Sequence, residues 1–434
     1  MSDDTRSAGS PDHHTSAAQN ATHPIHRLPA ELLVEIFLWQ LLFFTQDYET
    51  KTKDPMVTFD RVSPLVCRFW RAVAHGDPRL WTHVVAPHLA ALETFTQRYL
   101  PRSGDLPLDL EFRGPLKGLA PFIAAMSPYA ARWGSLDLSG TCESFRQMTP
   151  VETPVLRHVQ IYVDWDGWDG QSGVQHLMLH VLHEAPHLHT LKLACRNHGP
   201  QTLELTIPPL PHLASFELWA SEYDLTSMLR TLRGSYATLC DIRLYIEDFL
   251  PPTDPLECPA YLPSLKSLAL SGNAGRFLQL ISPPALETLM MTSEPEDLLD
   301  LLRRVPATGR SLQNLELQSL GDYDILDCLA LAPNLKVLRL GVCRAPGPLL
   351  RGLTIYEDDP AEHPILVPKL ELLSLNCCID SEDLLAVDEF FISRAFPQVV
   401  RGTQVEGVHM AVSGELMRTR SVFARSDINL CSSE

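Results

Sequence analysis

The sequence predicts an α/β chain of two unequal parts, a short helical unit at the front and a long strand-repeat array behind it. Three observations carry this. Between Ile25 and Val84, apolar residues recur at three- and four-residue steps, the period of amphipathic helices. From Trp133 onward, a six-residue pattern with apolar first, fourth and sixth places returns ten times. Most steps between copies fall between 21 and 26 residues, the self-similarity of an architecture whose units bury their apolar faces only against one another.

Residues 1–24 are rich in Ser, Asp, Ala and His and lack the apolar core of a signal peptide, so a disordered tail is expected. In IHRLPAELLVEIF, residues Leu32, Leu33, Ile36 and Phe37 share a helical period, with Glu31 and Glu35 between them. Pro29 suits a helix start, because its fixed φ fits the first turn and its missing donor would be unpaired there. A second helix is expected where Leu65, Val66, Phe69, Trp70, Val73 and Ala74 repeat that period. Gly76, Asp77 and Pro78 punctuate the chain, and a closing turn carries Leu80 and Trp81. So small a unit is marginal alone, and a partner surface would stabilise it.

As a string, Leu28, Pro29, Glu31, Leu32, Leu33, Ile36 and Phe37, then Val66, Cys67, Arg68, Trp70, Arg71, Ala74, Pro78, Leu80 and Trp81, resemble an F-box at residues 25–84. The resemblance implies that the Leu-Pro loop and apolar helix faces pack on the Skp adaptor of a cullin ubiquitin ligase. The adaptor-binding residues would be Leu28, Pro29, Leu32, Leu33, Ile36, Phe37, Val66, Cys67, Trp70, Leu80 and Trp81. The connection from Gln40 to Asp60 is longer than is usual in that family.

Residues 85–132 read as a linker with a degenerate capping repeat at LPLDLEF. The array proper is expected over 133–400. Its copies are WGSLDL, LRHVQI, LHTLKL, LASFEL, LCDIRL, LKSLAL, LETLMM, LQNLEL, LKVLRL and LELLSL, and seven of the nine steps suit leucine-rich repeats. Each copy would be a short strand with Leu inward, in an irregular horseshoe-shaped solenoid. Helical connections are expected at 173–184, 225–233, 296–304 and 324–331. Asn273, Cys343 and Cys378 stand three residues after a last strand Leu, where a buried polar side chain satisfies turn backbone groups. Similar irregular repeats follow the F-box in one large branch of that family, so the resemblance spans residues 25 to 380. Two long steps leave insertions at 164–173 and 344–368. A helix in SEDLLAVDEFFISRAF would cap the array, and 401–434 reads as a weakly specified tail.

Composition narrows the function. A formal charge of -18 without a basic block argues against nucleic-acid binding, which depends on cations neutralising phosphates. The longest apolar run is interrupted at Gln40 and too short for a bilayer. Ten scattered cysteines without a CxxC pair fit reduced thiols in the cytoplasm or nucleus, and Cys377 and Cys378 would point to opposite strand faces. His183, Glu184 and His187 spell HExxH, with His176 and His180 upstream, but Pro186 would break the helix that a zinc hydrolase needs there. No phosphate-binding, dinucleotide or nucleophile-elbow motif stands in the chain. No catalytic residue, metal ligand or cofactor is expected.

On a leucine-rich horseshoe, residues between and just after the strand leucines face outward on the concave sheet. Tyr162, Lys192, Trp219, Arg243, Tyr245 and Arg339 hold such places and are the candidate client-binding residues. Tyr162, Trp219 and Tyr245 share one strand position in the second, fourth and fifth copies, and aromatics with nearby Arg are typical of interface hot spots. The same aromatics would equally cover gaps in an irregular array. The expected function, which rests on the F-box resemblance, is the substrate-recognition subunit of an SCF-type cullin ubiquitin ligase, docked on its Skp adaptor and binding a client protein. The alternative is a repeat scaffold for protein interaction acting outside any ligase.

Overall fold

Alternation inside each repeat copy decides the architecture. Side chains two residues apart share a strand face, so the fourth and sixth places of every copy can be buried together while the fifth stays outside. The computed structural model describes residues 28–46, 59, 60, 62–86, 91–164, 174–196, 202–249, 258–292, 296–318, 325–341, 346–356, 364–376, 383–400 and 403–413. Within these, the chain is α/β with one 13-stranded sheet whose strands follow chain order.

The strands are β1 His83–Ala86, β2 Leu108–Phe112, β3 Trp133–Thr141, β4 His158–Asp164, β5 Thr190–Arg196, β6 Ser215–Tyr223 and β7 Asp241–Phe249. They continue as β8 Ser267–Gly272, β9 Thr288–Met291, β10 Asn314–Leu317, β11 Val337–Gly341, β12 Leu372–Asn376 and β13 His409–Ser413. Every neighbouring pair in this sheet is parallel. All ten repeat copies supply strands, β3 through β12 in order, and LPLDLEF supplies β2 as expected.

The inner face is a set of register rows. Leu136, Val159, Leu191, Phe216, Ile242 and Leu268 stand side by side across β3 to β8, and all are buried. In the nine copies that begin with Leu, that residue lies just ahead of its strand; Leu156, Leu188, Leu213, Leu239, Leu265 and Leu286 are fully buried. Backbone bonding continues through this turn: Cys240 N donates to the Ala214 carbonyl at 2.8 Å and Lys266 N to Cys240 at 2.9 Å. Burying each turn beside its neighbour thus leaves its amides paired.

Connections cover the buried face. Helices at Leu225–Leu232 and Glu296–Arg304 match expectation, and a shorter helix, Leu326–Ala330, lies within 324–331. The expected helix at 173–184 is instead a strand, Val174–Met178, followed by a 3-10 turn, His180–Leu182. Val174–Met178 pairs in parallel with Thr202–Thr206, so a distant partner satisfies backbone groups that the period alone assigns to a helix.

The array also runs further than expected. The helix Asp383–Arg394 forms in the acidic stretch, but β13 follows it and pairs with β12. Arg394 helps to hold this return: its buried guanidinium donates to the carbonyls of Leu353, Leu366 and Val367. Desolvation by burial lowers its pKa to about 10. The tail expected from 401 therefore includes sheet structure to Ser413. No helix among the described residues is long and apolar enough to cross a membrane.

At the front, α1 spans Ala30–Gln46 and α2 spans Arg68–Gly76. α1 begins one residue after Pro29, as its sequence indicates, but runs six residues past Gln40. The helix expected from Leu65 is split: a 3-10 turn, Ser63–Leu65, precedes α2, and Cys67 caps α2 in an extended conformation with its sulfur accepting from Trp70 N. A further 3-10 turn, Pro78–Trp81, leads into β1. Residues 1–24, residues 165–173 of the first long insertion, residues 344, 345 and 357–363 of the second, Cys343 and Cys378 lie outside the described residues.

Candidate interaction surfaces

α1 is apolar around most of its circumference. Leu33, Val34, Phe37 and Leu41 are buried in the chain's own core. Leu32, Ile36 and Trp39 form a second stripe and are 53%, 43% and 72% exposed. A helix that is apolar all round is normally covered on all sides, and this one is covered only in part.

What closes the inner side is a chain of aromatic contacts. Phe37 meets Phe59 edge-on at 5.5 Å and Trp70 at 5.2 Å; Phe59 meets Trp81 at 5.9 Å, and Trp81 meets Tyr99 at 5.3 Å. Arg102 lies over the Trp81 ring at 4.5 Å. Trp81 Nε1 donates to the Ala74 carbonyl at 2.8 Å. Its usual helical partner would be the amide of residue 78, which is a proline, so the indole satisfies an acceptor that α2 cannot. The helical unit is thereby fastened to the start of the sheet.

The outer side continues from α1 onto the turn ahead of α2. Ser63 Oγ hydrogen-bonds Gln40 Oε1 at 2.9 Å, bringing that turn against α1, and Arg71 Nε donates to the Pro64 carbonyl at 3.0 Å. Val62, Leu65, Val66 and Phe69 are exposed there. Seven of the eighteen large apolar residues exposed among the described residues lie between Leu32 and Phe69, which concentrates the patch on this unit. Arg79 bridges Glu35 and Asp77 at its edge, and its hydrogen bond to Asp77 holds that carboxyl below the usual range.

This geometry divides the eleven candidate adaptor-binding residues. Pro29, Leu32, Ile36 and Val66 are exposed, and Leu28, Cys67 and Trp70 are half-buried. Leu33, Phe37, Leu80 and Trp81 are fully buried and unavailable to a partner, which corrects their assignment. Adjacent residues on a helix are about 100° apart, and here Leu33 is turned into the core while Leu32 is turned out of it. The sequence reading omitted Trp39, Val62, Leu65 and Phe69 from the surface; the spacing of Leu32, Ile36 and Trp39 marks a stripe distinct from Leu33, Phe37 and Leu41.

The second surface is the outer face of the sheet. Tyr162, Ala194, Trp219, Tyr245 and Ser271 form one register row across β4 to β8. Trp219 and Tyr245 stack at 3.7 Å with an 18° angle between rings, and Trp219 Nε1 donates to Glu217 Oε1 at 2.7 Å. The shared strand position of Tyr162, Trp219 and Tyr245 is therefore a spatial row. These residues, with Ala194, Ser271 and Gly272, line a cleft of about 440 Å³. Gly272 is required there: its φ is 66°, and an added Cβ would stand 2.1 Å from the Ile246 carbonyl oxygen.

The next row toward the strand starts is charged. Lys192 pairs with Glu217 at 3.6 Å and Arg243 with Asp241 at 3.2 Å, while Arg339, six strands beyond Lys192, pairs with Glu316 at 3.8 Å. Arg339 lies far from the aromatic cleft and does not line it. Near the front of this face, desolvation and Glu111 push the Asp137 carboxyl up to about 6. Burial also pushes Glu111 up, but the neighbouring His83 and the hydrogen-bonded Arg113 outweigh it and hold the carboxyl below its usual range.

The HExxH stretch, residues 183–187, follows a 3-10 turn at His180–Leu182 and is itself a turn with one isolated bridge residue, so His183 and His187 do not project from one helix. His187 instead stacks on His212 at 6.0 Å. Among the described residues, no three His, Cys, Asp or Glu side chains are grouped to hold a metal ion. Cys195, which contributes to the cleft lining, is buried, and burial pushes its thiol up to about 12, which disfavours the reactive thiolate. Asn273 is exposed and donates to the carbonyl of Glu247, within strand β7, at 2.5 Å, so it departs from the expected buried side chain that satisfies a turn group. No protein-family model matches the chain, and no curated protein matches it at a significant level.

Proposed function

We propose that the chain is a substrate receptor of an SCF-type cullin ubiquitin ligase, with residues 25–84 acting as an F-box on a Skp adaptor and the parallel-stranded array acting as a leucine-rich-repeat client platform. The observation that carries this reading is the second apolar stripe on α1, Leu32, Ile36 and Trp39, continued by exposed Leu65, Val66 and Phe69. Docking is its physical role: exposed apolar surface of this kind is stabilised by burial against a partner, while the buried stripe holds the unit to its own sheet. The chain's contribution is binding, and bond-breaking belongs to other subunits.

The test is co-expression with a Skp adaptor, followed by size-exclusion chromatography of wild type beside Leu32→Ala/Ile36→Ala. A one-to-one complex formed by wild type and lost in the double variant, with an unchanged melting profile, supports the assignment. Wild-type chain that elutes alone overturns it.

A further inference from the structure

We propose that the cleft between Tyr162 and Trp219 is a slot for an arginine side chain of the client. The inference rests on the reading that the outer sheet face receives a client, and it names the chemistry of what is received. Tyr162 and Trp219 stand in the same register row but two strands apart, with Ala194 between them. Parallel strands lie about 4.8 Å apart, so the backbone positions that carry the two rings are roughly 9.5 Å apart. A flat group in van der Waals contact with both rings needs roughly 7 Å, about twice the usual contact distance between carbon atoms. The methyl of Ala194 leaves that space open, and all three residues line the same cleft. Trp219 is held in place for this role: Tyr245 covers one of its faces, Glu217 accepts from its ring nitrogen, and it remains 48% exposed.

Charge selects a cation for the slot. Strands β4 to β7 carry six carboxylates against three cations. Lys192 and Arg243 are already paired with Glu217 and Asp241. Glu247, on the cleft's rim, is exposed. The ring faces attract a cation through their quadrupoles, and a guanidinium is flat enough to enter between them, which an ammonium group is not. An arginine within a basic, extended segment of a client therefore fits both shape and charge.

The full-length chain, immobilised, is used to select from a random dodecapeptide phage library, in parallel with Trp219→Ala and Ala194→Leu. The first removes one wall and the second fills the floor while retaining both rings, and neither changes the net charge of -18. The expected result is enrichment of arginine at one fixed position of the wild-type consensus, with binding of the selected phage falling at least tenfold on each variant. Arginine enrichment that survives both substitutions would reflect general acidity and overturn the slot. An acidic or purely apolar consensus, or none, also overturns it. Adaptor capture is measured on the same preparations: chain that binds adaptor but selects no arginine leaves the receptor reading standing, and chain that selects arginine without binding adaptor does the reverse.

Discussion

Leu33 and Trp39 lie on the same helix, yet substituting each should have opposite consequences. Leu33 is fully buried in the cluster that contains Phe37, Trp70 and Trp81. Leu33→Ala removes its apolar contacts and leaves a cavity, at a cost of about 2 to 5 kcal/mol, and α1 has few other contacts to absorb it. Trp39 is 72% exposed, so Trp39→Ala should change folding stability by no more than about 0.5 kcal/mol. Under the docking proposal, however, Trp39 lies where the adaptor would cover it, and a buried interfacial Trp commonly contributes 2 kcal/mol or more, roughly a thirtyfold loss of affinity. Hydrogen exchange of the α1 amides gives local stability, and adaptor titration of the same samples gives affinity. Leu33→Ala should accelerate exchange, whereas Trp39→Ala should leave exchange unchanged and weaken adaptor binding. Trp39→Ala that binds as wild type, or Leu33→Ala that leaves α1 exchange untouched, would refute the division of the helix into two faces.

Three further outcomes follow from the geometry. Trp81→Phe keeps a ring in the aromatic chain but strands the Ala74 carbonyl beside Pro78, so urea unfolding should show a loss of about 1 to 3 kcal/mol. Gly272→Ala should destabilise by more than about 1 kcal/mol and lower the expression of soluble chain, because its φ of 66° and the 2.1 Å approach to Ile246 O both exclude a side chain. Asp137, with a folded value near 6 against an ordinary 3.8, is disfavoured when ionised: its contribution to stability is fully present below 3.8 and is lost as pH rises through about 6. Asp137→Asn should therefore raise the free energy of unfolding in urea titrations at pH 7, by at most about 3 kcal/mol, and match wild type at pH 3.5, whereas equal stabilities at both pH values would show that the burial cost is absent.

Strands β3 to β12 were legible in the chain alone, because period-two alternation with Leu at fixed places is local and is repeated ten times. The sequence also determined the start of α1 at Pro29 and the end of α2 before Asp77, where proline and turn chemistry act over one or two residues. It placed Tyr162, Trp219 and Tyr245 at equivalent positions, since equal steps into a parallel register make a row. Which stripe of α1 turns inward was settled by long-range packing, because Leu32 and Leu33 are equally apolar and only packing against Phe59, Trp70 and Trp81 distinguishes them. Long-range contact alone turned 173–184 from helix to strand, through pairing with a segment almost thirty residues away. The strand at β13 was hidden for the same reason: HMAVS lacks the repeat's leucines, and its pairing with β12 follows a return that Arg394 holds through three backbone carbonyls. Period and punctuation are properties of neighbours in the chain, whereas burial, register and charge at a cleft belong to residues brought together from far apart.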